Sequence, residues 1–157
     1  MGVGKLGGDG RSRRGIHCAG LKADDLLPVM PTVTLSLLPG EYAICRLAPG
    51  DADPSWARES GVSAIVRTAD ELSVLCSSEK IPAGVTCESG WRLFKFRGPF
   101  AFTQTGILAS VLNPLAEARI GILAVSTFDT DYVLVKRNDL DRARELLVTS
   151  GHEVVWP

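Results

Sequence analysis

Hydrophobic and polar positions alternate in short runs from residue 32 onward, and Gly, Pro and Asp separate the runs. In the first half this alternation is typical of strands. It predicts four of them, at Thr32–Leu38, Glu41–Leu47, Val62–Arg67 and Glu71–Ser77. Asp53 followed by Pro54 predicts a short helix over Pro54–Glu59, because Pro suits the first position of a helix.

The second half alternates between the period of a strand and that of a helix. Strands are predicted at Trp91–Arg97, Ile120–Thr127, Asp131–Arg137 and Glu153–Trp156. Apolar residues three and four positions apart predict a helix over Gly106–Arg119, in which Pro114 should kink the helix or split its last turn. A second helix is expected after Asn138, and Gly151 is a natural stop.

This order of elements predicts an α+β fold. The second half is β-α-β-β-α-β, the ferredoxin-like arrangement, and the first half has the pattern of a degenerate copy of the same unit. We therefore expect a degenerate N-terminal unit over residues 31–89 and a complete unit over residues 90–157. Antiparallel sheets packed side by side, or sharing a strand, would cover apolar surface that neither unit buries alone.

Residues 1–30 differ from the rest of the chain. They are rich in Gly, and five Lys or Arg against three Asp give them a net charge of +2. A disordered tail is the expectation, and a basic arm for nucleic acid is the alternative. Met30 directly precedes the first predicted strand, so a further hypothesis is that the natural protein starts at Met30.

Composition argues against several classes of partner. The 157 residues are 45% apolar and 22% charged, with a formal net charge of −1. That charge gives no reason to expect nucleic acid, and no apolar run reaches the roughly 20 residues of a membrane span. The four cysteines form no CxxC pair. We expect Cys45 and Cys76 to be buried thiols in a reducing cytoplasm, with no metal and no cofactor.

Catalytic motifs do not stand out in the sequence. The patterns GxSxG, GxxxxGK[ST] and HExxH do not occur. The spacing GxGxxG occurs once, at Gly2-Val-Gly-Lys-Leu-Gly7, but it lies in the N-terminal tail with no strand predicted before it, so a phosphate-binding loop is not expected there. None of the acidic residues is marked as a catalytic acid. The prediction is therefore that the chain is not an enzyme.

Two segments support a family resemblance. Phe102-Thr-Gln-Thr-Gly-Ile-Leu108 opens the first helix of the second half, and Ser126-Thr-Phe-Asp-Thr-Asp-Tyr132 joins two strands. Together with Leu115-Ala116 and Gly121-Ile122, they resemble the ACT domain family over residues 32–156. The resemblance is to small bacterial tandem-ACT proteins, which are similar to the regulatory region of aspartate kinases and to CASTOR-type arginine sensors. It implies two ACT units that bind a free amino acid at their interface without performing chemistry.

The two segments suit the two charged groups of a free amino acid. N–H groups at a helix start favour a carboxylate, so we expect contacts from the residues around the first helix start: Thr103, Gln104, Thr105, Gly106, Ile107 and Leu108. Acidic side chains and strand-end oxygens favour an ammonium group, and the corresponding candidates are Ser126, Thr127, Asp129, Thr130 and Asp131. The sequence leaves open whether one unit holds both segments at the same end.

Simpler explanations of these residues stay open. Thr105 and Gly106 also suit an ordinary helix start, and Asp129 and Asp131 suit an ordinary turn, because Asp binds its own backbone there. Three functions follow in order of preference. The chain is a homodimeric amino-acid-binding module, a dimerisation protein without a ligand, or a small enzyme on a ferredoxin-like scaffold.

Overall fold

The computed structural model describes residues 30–156, which form one eight-stranded sheet with two α-helices. The strands are β1 (Thr34–Leu37), β2 (Tyr42–Leu47), β3 (Ala64–Arg67), β4 (Leu72–Ser77), β5 (Cys87–Phe96), β6 (Ile122–Ser126), β7 (Asp131–Lys136) and β8 (Glu153–Val155). The helices are α1 (Ile107–Glu117) and α2 (Leu140–Thr149), and short 3-10 turns lie at Ser55–Glu59, Ser78–Lys80 and Arg137–Asp139. The expectations for the N-terminal tail lie outside the described residues.

The predicted order of the second half is confirmed as β5-α1-β6-β7-α2-β8. β5 pairs antiparallel with β7, and β7 pairs antiparallel with β6. The α+β class is confirmed as well. In the first half, β2, β3 and β4 form an antiparallel ladder, and between residues 30 and 86 the helical segments are the 3-10 turns alone.

One strand pairing was not predicted and makes the sheet mixed. β1 lies between β5 and β8, so that Leu35 is opposite Phe96 on one side and Val154 on the other. The β1–β8 pairing is parallel. Local alternation identifies a strand but not its partner, and this partner lies more than one hundred residues away.

β5 belongs to both halves of the sheet. Its first residues pair with β2, its last residues pair with β1, and β7 runs along its other edge. The register with β2 shifts between Tyr42 and Ile44, beside Gly90, whose φ of +77° suits glycine. The predicted boundary between residues 89 and 90 falls inside this strand, and the division into two units stays a prediction.

The two helices cover one face of the sheet. Their buried side chains pack with the inward residues of β1, β5 and β7, and the members of this core include Leu35, Phe94, Phe96, Val111, Leu115, Val133 and Leu147. The other face buries Trp91, Leu93 and Leu134. β5 is thus apolar on both faces, as expected for a strand that is buried on two sides.

The predicted split of the first helix at Pro114 is wrong. α1 continues to Glu117, with Pro114 inside it. The carbonyl of Ser110, which the imino nitrogen of Pro114 cannot bind, is contacted instead by Nε2 of His152 at 3.0 Å. The helix therefore continues past Pro114 without the missing backbone bond.

Candidate functional site

The turn between β6 and β7 is held by its own threonines and by the end of β5. The N–H and the hydroxyl of Thr127 both donate to the carbonyl of Thr130, each at 2.8 Å. The hydroxyl of Thr130 donates to the carbonyl of Phe96 at 2.7 Å, and the N–H of Phe100 donates to the carbonyl of Asp129 at 2.9 Å. These bonds fix the direction in which the side chains of the turn point.

Gly98 allows this close approach. A Cβ at this position would lie 2.6 Å from the carbonyl oxygen of Asp129 and 3.2 Å from Cβ of Thr130. The first distance is shorter than side chains tolerate. Glycine at residue 98 is therefore a requirement for placing the turn against the segment that leads into α1.

The segment before α1 folds back on itself. The N–H of Ala101 donates to Oε1 of Gln104, and the N–H of Gln104 donates to the carbonyl of Ala101, both at 2.9 Å. Gly106 follows with a φ of +81° and begins the helix, which has no side-chain cap. The N–H groups of the first turn are thus left for water or an anionic group.

A cavity of about 210 Å³ lies between these two segments. It brings together seven of the eleven predicted site residues, namely Gln104, Ile107, Ser126, Thr127, Asp129, Thr130 and Asp131. The helix start and the turn therefore lie at the same end of one unit. The structure answers this geometric question, which the sequence left open.

The other four predicted residues do not line the cavity. Thr103 and Thr105 are exposed, Gly106 faces Met30 and Pro31, and Leu108 packs on the core. Sequence reasoning missed four lining residues: Phe100, Ala101, Phe102 and Phe128. Of these, Phe102 has a side chain that is 79% exposed.

The cavity is lined by acidic groups and by no Lys or Arg. Asp131 accepts a hydrogen bond from the hydroxyl of Ser126, which leaves part of its carboxylate for another donor. Within residues 30–156, neither Asp131 nor Asp129 forms an ion pair with a Lys or Arg. A positively charged group would therefore find unneutralised carboxylates here.

Two exposed phenylalanines stand at the rim of this cavity. The rings of Phe102 and Phe128 meet edge to face, with 5.2 Å between centroids and 83° between planes. Each residue is 79% exposed. They adjoin β6, which in the described part of the chain pairs with β7 alone. Large exposed apolar groups beside a free strand edge mark a surface suited to another protein surface.

Residues 30–156 contain no group of three or more His, Cys, Asp or Glu side chains arranged to hold a metal ion. Neither of its helices has the length and hydrophobicity that crossing a bilayer requires.

Two family models match the chain in succession. A model described as an ACT domain matches residues 86–149. A second model, described as an N-terminal domain, matches residues 40–84. The two matches meet near the start of β5.

Among curated proteins, the chain is similar to the human cytosolic arginine sensor for mTORC1 subunit 1. The two are 28% identical over 133 residues, which are 78% of this chain and 39% of the sensor. The chain thus spans about two fifths of the length of this relative.

Among solved structures, a protein from Agobacterium tumefaciens is 46% identical, with a TM-score of 0.77 over 81% of this chain and 95% of that one. The regulatory subunit of aspartate kinase from Thermus thermophilus has a TM-score of 0.56 at 8% identity, over 76% of this chain and 99% of that one. The latter likeness shows the fold alone. The sequence match over residues 86–149 and the βαββαβ order of the elements from β5 to β8 lead to one conclusion: the second half of this chain is an ACT domain.

Proposed function

We propose that this chain is a non-enzymatic regulatory module that binds a free amino acid at an interface between ACT units. The observation that supports it most is the cavity between the start of α1 and the turn of Asp129 and Asp131. Its volume of about 210 Å³ is many times what a single water needs. That size suits a small metabolite.

The polar groups around the cavity match a zwitterion. The uncapped start of α1 favours a carboxylate, and the free part of the Asp131 carboxylate favours an ammonium group. Asp129 offers a second negative charge. A ligand with an additional positive charge on its side chain would therefore be preferred. Arginine is the first candidate, because the human relative is named an arginine sensor and because its guanidinium suits carboxylates.

A second copy of the chain would cover the cavity. Phe102 and Phe128 leave apolar surface at its rim, and burying such rings on association is favourable. The outer edge of β6 continues this surface with the apolar residues of its sequence. A homodimer is therefore part of this proposal. A cytosolic location is part of it as well, because the name of the human relative describes that protein as cytosolic.

The test is thermal unfolding of the full chain with each of the twenty amino acids at millimolar concentration. A ligand that binds the native state must raise its stability, so at least one amino acid, with arginine first, should raise the Tm. Citrulline is the matched control, because it has the shape of arginine without the charge. Absence of any shift across the panel would contradict the proposal.

The alternative is a dimerisation protein without a ligand. The exposed pair Phe102 and Phe128 favours it as much as it favours the first proposal. Phe102→Ser with Phe128→Ser should weaken self-association in sedimentation equilibrium in either case. Val66→Ser, at another exposed apolar residue, is the control. The alternative predicts that association is the same with and without amino acids, and the first proposal predicts that a bound amino acid changes it.

A further inference from the structure

Three cysteines from adjacent strands meet on one face of the sheet. Cys76 lies in β4, Cys45 in β2 and Cys87 in β5. In the antiparallel β2–β5 ladder, Cys45 is directly opposite Cys87. On the other side, Cys45 is opposite Val74, which lies two residues before Cys76 and on the same face, and Cys45 and Cys76 belong to one buried cluster. Neither the family match nor the amino-acid cavity accounts for this cluster.

The pair Cys45 and Cys87 has the geometry of a cross-strand disulfide. The neighbouring hydrogen bond runs from the N–H of Arg46 to the carbonyl of Thr86 at 2.9 Å, so the cysteines form a non-hydrogen-bonded pair. Residues in such pairs have Cα atoms about 4.5 Å apart and side chains on the same face. Disulfides span Cα distances of about 4.4–6.8 Å, so the bond requires little backbone movement.

The three thiols of the cluster differ in their access to solvent. Cys87 is exposed, whereas Cys45 is 1% exposed and Cys76 is completely buried. A dissolved oxidant therefore reaches Cys87 first. Cys45 can then react with the sulfur of Cys87 from inside the protein, without contact with solvent.

The buried thiols are poor nucleophiles by themselves. Burial, together with the neighbouring thiols, raises the pKa of Cys45 to about 12. Burial also raises the pKa of Cys76. Both remain protonated at neutral pH, and thiols react with oxidants as thiolates. Direct oxidation of Cys45 by a dissolved oxidant is thus disfavoured. Its attack on the sulfur of Cys87 is intramolecular, because the two residues are directly opposite each other, and this proximity offsets the small thiolate fraction.

We propose that Cys45 and Cys87 are a redox-responsive pair, which closes to a disulfide when a low-molecular-weight disulfide such as glutathione disulfide reacts at Cys87. The Cys87 thiolate attacks one glutathione sulfur, the glutathione S–S bond breaks, and one glutathione thiolate leaves. Cys45 then attacks the sulfur of Cys87, and its proton goes to the second departing glutathione. Two protein thiols are oxidised, and one glutathione disulfide is reduced to two glutathione molecules.

This bond would tie β2 to the first residues of β5. The cavity adjoins the other end of β5, and the nine residue-to-residue steps from Cys87 to Phe96 span roughly 30 Å at about 3.3 Å per step. The disulfide should therefore leave amino-acid binding unchanged. The redox proposal and the amino-acid proposal can fail independently of each other.

The test is mass spectrometry of the full chain after reaction with glutathione disulfide. Trypsin places the three cysteines of the cluster in separate peptides, residues 23–46, 68–80 and 81–92, and Cys18 in residues 15–22. The expected result is loss of two of the four titratable thiols, a mass lower by about 2 Da, and peptide 23–46 crosslinked to peptide 81–92.

Three variants separate the steps. Cys87→Ser should leave Cys45 unmodified, and Cys45→Ser should stop at a mixed disulfide of Cys87 with glutathione. Cys76→Ser, the matched control in the same cluster, should close as the natural chain does. The proposal is overturned if the natural chain stops at the mixed disulfide, or if its crosslink joins any other pair of cysteines.

Discussion

Nε2 of His152 donates a hydrogen bond to the carbonyl oxygen of Ser110 at 3.0 Å. The direction follows from the other ring nitrogen, because Nδ1 accepts from the N–H of Val33 at 3.2 Å and therefore bears no proton. Ser110 lies four residues before Pro114, so its carbonyl has no N–H partner in α1. The buried imidazole thus replaces a helical hydrogen bond and joins α1 to the chain just before β1.

Replacing His152 by Ala should destabilise the fold by about 2–6 kcal/mol. The change leaves the N–H of Val33 and the carbonyl of Ser110 without partners, and each unsatisfied buried group costs about 1–3 kcal/mol. Urea unfolding measures the difference. Glu153→Ala is the control, because the neighbouring residue Glu153 is exposed. It should lower the free energy of unfolding by less than about 1 kcal/mol.

Pro114→Ala should reduce this penalty. Alanine restores an N–H that can bind the carbonyl of Ser110, so His152→Ala in that background leaves one buried group unsatisfied instead of two. A double-mutant cycle should give a coupling of about 1 kcal/mol or more. Strict additivity of the two substitutions would show that the imidazole does not replace the missing bond.

Gly98→Ala should disturb the turn that lines the cavity. Its Cβ would lie 2.6 Å from the carbonyl oxygen of Asp129, and overpacking of this kind costs about 1–3 kcal/mol. Both the urea midpoint and amino-acid affinity should fall. Gly121→Ala is the control, because a Cβ there meets no atom within 4 Å, and it should leave both quantities unchanged. Equal behaviour of the two variants would contradict the role given to Gly98.

Asp131→Asn should weaken amino-acid binding roughly tenfold to a hundredfold, because hydrogen bonds to charged groups contribute about 1.5–3 kcal/mol. The amide keeps the shape of the side chain, so urea stability should change little. Calorimetric titration measures the affinity. Asp70→Asn, in an exposed turn away from the cavity, should bind as the natural chain does. Unchanged affinity in Asp131→Asn would remove this carboxylate from the site.

Stability of the reduced protein should fall as the pH rises above 9. The pKa of Cys45 is raised by burial from 9.0 to about 12, so between these values the unfolded chain releases a proton that the folded chain retains. Each pH unit in this window costs up to about 1.4 kcal/mol for this group. Urea unfolding at pH 8 and pH 10 should show the loss, and Cys45→Ala should show a smaller one. An equal loss of unfolding free energy between pH 8 and pH 10 in the two proteins would contradict the raised pKa of Cys45.

The sequence predicted the elements more completely than their partners. The alternation in Trp91–Arg97 and the runs around residues 120–137 predicted three strands, and the structure makes them neighbours in the sheet. The insertion of β1 beside β8 was not predictable, because nothing local to Thr34–Leu37 encodes a distant parallel partner.

Side-chain roles that depend on contacts with residues distant in the sequence could not be predicted either. His152 resembles a surface residue in its local sequence, yet it is 5% exposed and binds groups 42 and 119 residues away. The sequence around Gly98 likewise does not indicate that this residue faces the carbonyl of Asp129. For the cavity, the segments of Gln104 and Asp131 were found from turn and helix-start chemistry, whereas the rim position of Phe102 required the fold.

The most direct test of the proposed amino-acid site is an NMR titration of the full chain with arginine, followed by the other amino acids, through the backbone amide resonances. The account predicts that the largest shifts fall on residues 104–108 and 126–131, and that residues 60–64, beside a different cavity, change little. Absence of shifts with every amino acid at millimolar concentration, or shifts centred away from these two segments, would contradict it.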